Sequence, residues 1–273
     1  MGKIIWLASY PKSGNTWLRA FLHNYILQGN APHSINALTD LTAAESAAPF
    51  FNKYDPRPAS AFTTEDAQRL RPLVHRDLTH LRDGFVCIKT HNARLAMHGI
   101  PLITDEFTSG AIYMVRDPRD VAVSYSRYTG QSLDEIIAFM GNGAGANRST
   151  DAQVFELLSS WSRHVESWVG STPRLLVRYE DLLTAPAKSF ARVMRFLGDQ
   201  PDETRLARAI SFSGFATLAA QEASEGYAAR RDAAAPFFRQ GRSGAWRDVL
   251  TPSQSDRIVA DHGAMMKNFG YLD

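Results

Sequence analysis

Four short apolar runs constrain this chain more than any other feature. They cover residues 4–8, 85–89, 111–115 and 175–179, and each ends in a polar segment. Their length suits strands, and their lack of alternation suits a sheet covered on both faces. Longer stretches with helical spacing lie between them. After the first run Leu18, Phe21, Leu22, Tyr25 and Ile26 recur at helical intervals, and Gly29-Asn30 stops the pattern. Residues 120–128 read as the helix that follows the third run. Residues 155–169 place Phe155, Leu158, Trp161, Val165 and Trp168 on one side of another helix. Pro186 and Pro252 stand where prolines open helices, predicting helices over 186–197 and 252–269. Strands alternating with crossover helices predict an α/β fold, a parallel sheet flanked by helices on both faces. Its 273 residues suit one such unit, and no linker or internal repeat divides them, so a single domain over 1–273 is expected. Residues 31–63 and 141–151 lack a clear period; the second stretch is glycine-rich and expected to be a mobile loop.

Composition narrows the functional classes. Lys plus Arg number 30 against 28 for Asp plus Glu, with no cationic run, which argues against a nucleic-acid partner. Cys87 is the only cysteine, so neither an intrachain disulfide nor a thiolate zinc site is expected, and the setting reads as cytoplasmic. Pro11 and Lys12 break the first apolar run far short of a membrane span.

Ligands of an open parallel sheet bind beyond the carboxyl ends of its strands. The first run ends in Ser9-Tyr10-Pro11-Lys12-Ser13-Gly14-Asn15-Thr16-Trp17. Gly14 permits a tight turn, while the Ser13 and Thr16 hydroxyls, the free N–H groups of a helix start and the Lys12 charge make an anion cradle. An ordinary capped turn bearing a lysine is the plain alternative. The second run ends in Lys89-Thr90-His91, where an imidazole could take a proton from an attacking hydroxyl or be merely structural. The third ends in Arg116-Asp117-Pro118-Arg119-Asp120, with Ser124 one turn into the next helix. Arg116 could fork onto a phosphate or pair with an aspartate to stabilise the turn. Tyr179-Glu180-Asp181 follows the fourth run, and Arg239-Gln240-Gly241-Arg242 lies near the C-terminus. Two of only six lysines, Lys12 and Lys89, thus fall at strand ends.

Together these segments resemble the cytosolic-type sulfotransferases, a P-loop-like family that uses 3′-phosphoadenosine-5′-phosphosulfate (PAPS). The segment from Ser9 to Trp17 resembles the family's 5′-phosphosulfate loop, and that from Tyr113 to Tyr125 its 3′-phosphate segment. Arg239-Gln240-Gly241 with Gly244 and Trp246 resembles its C-terminal phosphate motif, and Lys89-Thr90-His91 its catalytic-base segment. The resemblance runs in order from Ile4 to Trp246. It implies sulfuryl transfer from PAPS to a hydroxyl or amine of a small-molecule acceptor, leaving adenosine 3′,5′-bisphosphate (PAP), with no metal. By the same resemblance Lys12, Ser13, Gly14, Asn15 and Thr16 would hold the 5′-phosphosulfate. Arg116, Ser124, Arg239, Gln240 and Gly241 would hold the 3′-phosphate, and Trp17, Tyr179 and Phe215 would flank adenine. His91 would be the general base, with Lys12 and Lys89 stabilising charge. Asn15 stands where the family usually has threonine, Gln240 where it has lysine, and Ala245 where it has aspartate.

A P-loop kinase or NTPase is the nearest rival, although Gly-x-x-x-x-Gly-Lys-Ser/Thr is absent and Arg116 occupies a position suited to a magnesium-binding acid. A nucleotide-binding module without catalysis is the other. The acceptor pocket is expected from residues 31–63 and 130–151, with Phe50, Phe51, Tyr54 and Phe62 as candidate aromatic walls.

Overall fold

The four apolar runs pair into one parallel sheet. In the computed structural model, which describes residues 3–170, 173–229 and 236–272, its strands are Ile4–Ser9, Val86–Thr90, Thr108–Val115 and Arg174–Arg178. Their order across the sheet is second, first, third, fourth. Ala8 lies opposite Thr90 and Tyr113, and Val115 opposite Arg178, so all four chains leave the sheet along one rim. That rim collects the turns in which the charged and glycine residues were read.

Side chains alternate between two buried faces. Ile4, Trp6, Ala8, Val86, Ile88, Tyr113 and Val115 enter one core, which also takes Val74, Trp161, Trp168 and Ile258. Ile5, Leu7, Ile112, Met114 and Val177 enter the other, packed by Leu18, Phe21 and Leu22 of the helix Asn15–Leu27 and by Phe190 and Val193 of the helix Pro186–Phe196. Burial on both faces explains why these strands read as unbroken apolar runs.

Three local expectations are corrected. The helix expected over 155–169 begins at Trp161, because Ser160 caps it and Ser159 takes a φ of 60° that no helix continues through. Upstream, Glu156–Leu157 instead pairs antiparallel with Ala146–Asn147, inside the segment read as a glycine-rich loop. The fourth strand ends at Arg178, and Tyr179 opens a short helix, Tyr179–Thr184. Within 31–63 the chain forms short helical turns such as Leu38–Leu41 and Ala48–Asn52. Ala44 then pairs with Lys89 and covers the edge strand. The structure adds Thr64–Leu78, a 15-residue helix with a Thr63/Asp66 capping box and Pro72 inside it. Among the described residues no helix is long and apolar enough to cross a membrane.

Candidate functional site

The turn between the first strand and the helix Asn15–Leu27 wraps tightly at the rim. Lys12 has a φ of 69° and Gly14 one of 101°. Left-handed residues in such a turn let consecutive backbone N–H groups converge on one anion. A Cβ on Gly14 would sit 2.7 Å from the Tyr179 ring and 2.9 Å from Met114 Cε, so only glycine fits there.

A cavity of about 1520 Å³ opens over this turn. Lys12, Gly14, Asn15, Thr16, Trp17, Lys89, His91, Arg116, Ser124, Tyr179, Phe215, Arg239, Gln240 and Gly241 all line it. Of the residues expected to bind the donor or act in catalysis, Ser13 alone stands behind the wall, fully buried with its Oγ unpartnered. Arg116 Nε and Trp17 Nε1 are likewise buried without partners. Native structures rarely leave such donors unsatisfied, so a wall carrying Arg116 and Trp17 suits a polar ligand.

Asn15 is turned inward. Its Nδ2 donates to the Leu7 carbonyl at 2.8 Å, so its side-chain donor serves the strand rather than the cavity.

Arg116 does not pair with Asp117, although its Nη2 lies 4.0 Å from Asp120 Oδ2, a long ion pair within the turn. Asp117 is bound instead by Arg119, whose Nη2 lies 2.7 Å from Oδ2, and the same nitrogen donates to the Tyr271 carbonyl. Arg116 lies over the Tyr179 ring at 4.2 Å and donates to the Lys12 and Arg242 carbonyls, which ties the C-terminal segment to the first turn. Asp120 accepts from the backbone N–H groups of Gly244 and Trp246 and secures the same join.

Lys12 has its Nζ over the rings of Phe237, at 3.6 Å, and Tyr128, at 4.2 Å. Burial, reinforced by Arg116 and Arg239, lowers its pKa to about 7. A ligand bearing negative charge would restore the full ammonium.

Trp17 meets Tyr179 edge to face with centroids 5.7 Å apart. Phe215 opens the helix Phe215–Glu225 and packs on Gly241, where an added Cβ would approach its ring to 2.3 Å. Glu222 of that helix accepts from the Phe237 and Phe238 N–H groups at 2.6 and 2.8 Å, holding the Arg239-Gln240-Gly241 segment in place.

His91 follows the edge strand. Its Nδ1 lies 2.8 Å from the Ser9 carbonyl oxygen. A carbonyl only accepts, so Nδ1 carries the hydrogen and Nε2 keeps the lone pair. Burial and then the Lys89 charge push its pKa down to about 3, against an opposing pull from Glu156. The ring is therefore neutral at pH 7. His164 steadies the same residue: its Nε2 donates to the His91 carbonyl at 3.0 Å, and its Nδ1 accepts from the Tyr113 hydroxyl at 2.8 Å.

Glu156 was missed in the sequence. It is 1% exposed, lines the cavity, and accepts from Lys89 Nζ at 3.4 Å. A lone acid between Phe155 and Leu157 was the available signal. The expected aromatic walls are also corrected. Phe51 and Phe62 are buried in the core, Tyr54 bonds Asp77, Phe50 packs against the core, and none of the four lines the cavity. The segment 31–63 reaches the cavity only through Thr39 and Ala44, the latter paired with Lys89 on the edge strand, while residues 131–150 contribute much more of the wall, as expected. The cavity wall carries Asn147, Gln153 and Glu156.

A sulfotransferase-domain family model matches residues 3–270. The chain belongs to the sulfotransferase family. Cytosolic sulfotransferase 16 of Arabidopsis thaliana is 25% identical over 97% of this sulfotransferase and 77% of its own length. Sulfotransferase 1A1 of Canis lupus familiaris is 23% identical over 97% and 83%. Among solved structures, mouse sulfotransferase SULT7A1 complexed with PAP matches with a TM-score of 0.62 at 20% identity, covering 97% of this chain and 85% of that one. Retinol dehydratase in a complex with retinol and PAP gives 0.66 at 19% identity, over 98% and 82%. These likenesses show that this sulfotransferase shares their α/β fold.

Proposed function

We propose that this enzyme, acting as a single domain, transfers a sulfuryl group from PAPS to a hydroxyl, or an amine, of a small-molecule acceptor, with His91 as general base. One observation carries the reading: the Ser9 carbonyl fixes the His91 tautomer so that Nε2 holds a lone pair on the same rim as Lys12, Lys89 and Arg116. The PAP in the mouse sulfotransferase and retinol dehydratase complexes supports the choice of donor.

The residues suit a nucleotide with phosphates at both ends of its ribose. The turn of Lys12, Ser13, Gly14 and Thr16, with the Asn15 backbone, would hold the 5′ end. Arg116, Ser124, Arg239, Gln240 and Gly241 would hold the 3′-phosphate, and Trp17, Tyr179 and Phe215 the adenine. Arg116 and Trp17, which line the cavity, each carry an unpartnered nitrogen, Nε and Nε1, which supports a polar ligand there.

In the transfer, the acceptor oxygen forms a bond to sulfur as the bond from sulfur to the 5′-phosphate oxygen breaks. The acceptor proton passes to His91 Nε2, and the electron pair leaves with PAP. Lys12 and Lys89 stabilise the charge that moves onto the departing and equatorial oxygens. The cavity wall mixes polar Asn147 and Gln153 with aromatic Tyr125, Tyr128 and Phe139, which suits an acceptor bearing a hydroxyl on an apolar body. The names of the plant relatives support a cytosolic setting.

Labelled-PAPS transfer to a panel of glycosides, aliphatic alcohols, amines and phenols tests the reading. Transfer of label to a panel member is expected. PAP should also raise the melting temperature more than Mg·ATP does. Stabilisation by Mg·ATP alone would favour a kinase, and PAP binding without transfer a module that lacks catalysis.

A further inference from the structure

Lys89 and Glu156 come from distant parts of the chain and meet at the cavity wall. Lys89 lies on the edge strand, where Glu45 N–H donates to its carbonyl and its own N–H donates to the Ala43 carbonyl. Its backbone is thus fixed on both sides, but a lysine side chain has four rotatable bonds beyond that. Its side chain is 16% exposed and that of Glu156 only 1%.

The carboxylate is held from three directions. Oε1 accepts from Lys89 Nζ at 3.4 Å and from Ser46 Oγ at 3.0 Å. Oε2 accepts from Asn147 Nδ2 at 3.0 Å. Asn147 Oδ1 in turn accepts from the Tyr125 hydroxyl at 2.8 Å, on the same helix as Ser124. Desolvating this ion pair is costly, and an apolar pair of similar volume would serve stability as well. The network does something an apolar pair could not. It holds a mobile ammonium at one place on the wall beside His91, so that the ordering has already occurred when a ligand arrives.

We infer that Glu156 is a positioning residue, which through its bond to Lys89 aims the ammonium at the sulfuryl end of the donor. This rests on the reading of the His91–Lys89 rim as the place where the sulfuryl group lies. Glu156 itself need not touch the donor. Its effect therefore vanishes when Lys89 is removed, and it concerns PAPS rather than PAP, which lacks the sulfuryl group.

Calorimetric titration with PAP and with PAPS separates these possibilities without any acceptor. In E156Q the PAP dissociation constant should stay within about twofold of wild type. The affinity for PAPS relative to PAP should fall by about tenfold, the scale of one hydrogen bond to a charged group. K89M should lower the same ratio, and K89M/E156Q should match K89M. N147A removes one donor to Glu156 while keeping the ion pair; it should move the ratio the same way by less, and serves if E156Q does not fold. A ratio that is unchanged or larger in E156Q and N147A would show that the carboxylate merely screens Lys89, and would overturn the inference. So would a double variant weaker than K89M. If wild type binds PAP while these ratios stay constant, only the positioning role falls. If wild type binds neither nucleotide, the proposed function falls first and takes this role with it.

Discussion

The Ser9 carbonyl and His91 Nδ1 are 2.8 Å apart, and this contact decides what the imidazole can do. The two residues are far apart in the chain, but their strands are neighbours in the sheet. The first strand ends at Ser9 and the second at Thr90, so the carbonyl and the ring arrive together at the rim. The bond assigns the hydrogen to Nδ1 and leaves Nε2 to accept.

Replacing His91 by alanine should lower turnover by about 10²–10⁴, the usual contribution of a general base. Affinity for PAP should be nearly unchanged, because Nε2 acts on the acceptor. Calorimetry with PAP beside labelled-PAPS transfer checks both. A matching loss of PAP binding would show that His91 is structural.

Arg116 and Arg119 should behave differently although only two residues separate them. Arg116→Ala should retain the fold and weaken PAP binding by tenfold or more, on the order of one charge-assisted contact. Arg119→Ala leaves Asp117 only its helix-capping bond from the backbone N–H of residue 119 and removes the donor to the Tyr271 carbonyl, so it should cost about 1–3 kcal/mol of stability. Denaturant melts and PAP titrations of both variants test the contrast, and unchanged PAP affinity in R116A would remove that residue from the site.

Gly14→Ala forces a side chain into a left-handed position and against the Tyr179 ring. The expected loss is about 1–3 kcal/mol of stability, together with weaker PAP binding as Tyr179 is displaced. Melting with and without PAP measures both effects.

Acid should destabilise this protein well above the carboxylate range. Burial lowers His91 to about 3 and His164 and His262 to about 4, from an unfolded value of 6.5. Between those limits the unfolded chain binds more protons than the folded one, so stability rises with pH. It is fully present above pH 6.5 and lost as pH falls toward 4. Each histidine contributes up to about 1.4 kcal/mol per pH unit in that window. Urea melts between pH 7 and pH 4.5 should show this slope, and a flat profile would contradict the buried neutral rings.

Much of the site was legible because its chemistry is local. Lys12 to Trp17 span one turn and the start of the helix after it, and the cations needed to grip an anion lie within a few residues of the strand ends. Phe215 was legible only through a loose match, and its contact with Gly241 comes from elements that the sequence does not place side by side. Glu156 left only a faint signal, a lone acid between apolar neighbours. It sits in an apolar, helix-like pattern, and only the φ of Ser159 and the cap at Ser160 end that pattern before it reaches the acid. Phe50, Phe51, Tyr54 and Phe62 misled for the opposite reason: aromatic residues in an aperiodic stretch suit a pocket wall and a core anchor equally, and burial made them anchors or core neighbours.

By itself the sequence determined the strands, the anion-gripping turns and their convergence on one rim, since unbroken apolar runs must be buried on both faces and parallel strands must all point one way. Only the tertiary structure decided which arginine is tied up by Asp117, which imidazole nitrogen keeps its lone pair, and which carboxylate stands against Lys89. Those outcomes depend on contacts between residues far apart in the chain, where distance and burial select among partners that are chemically alike.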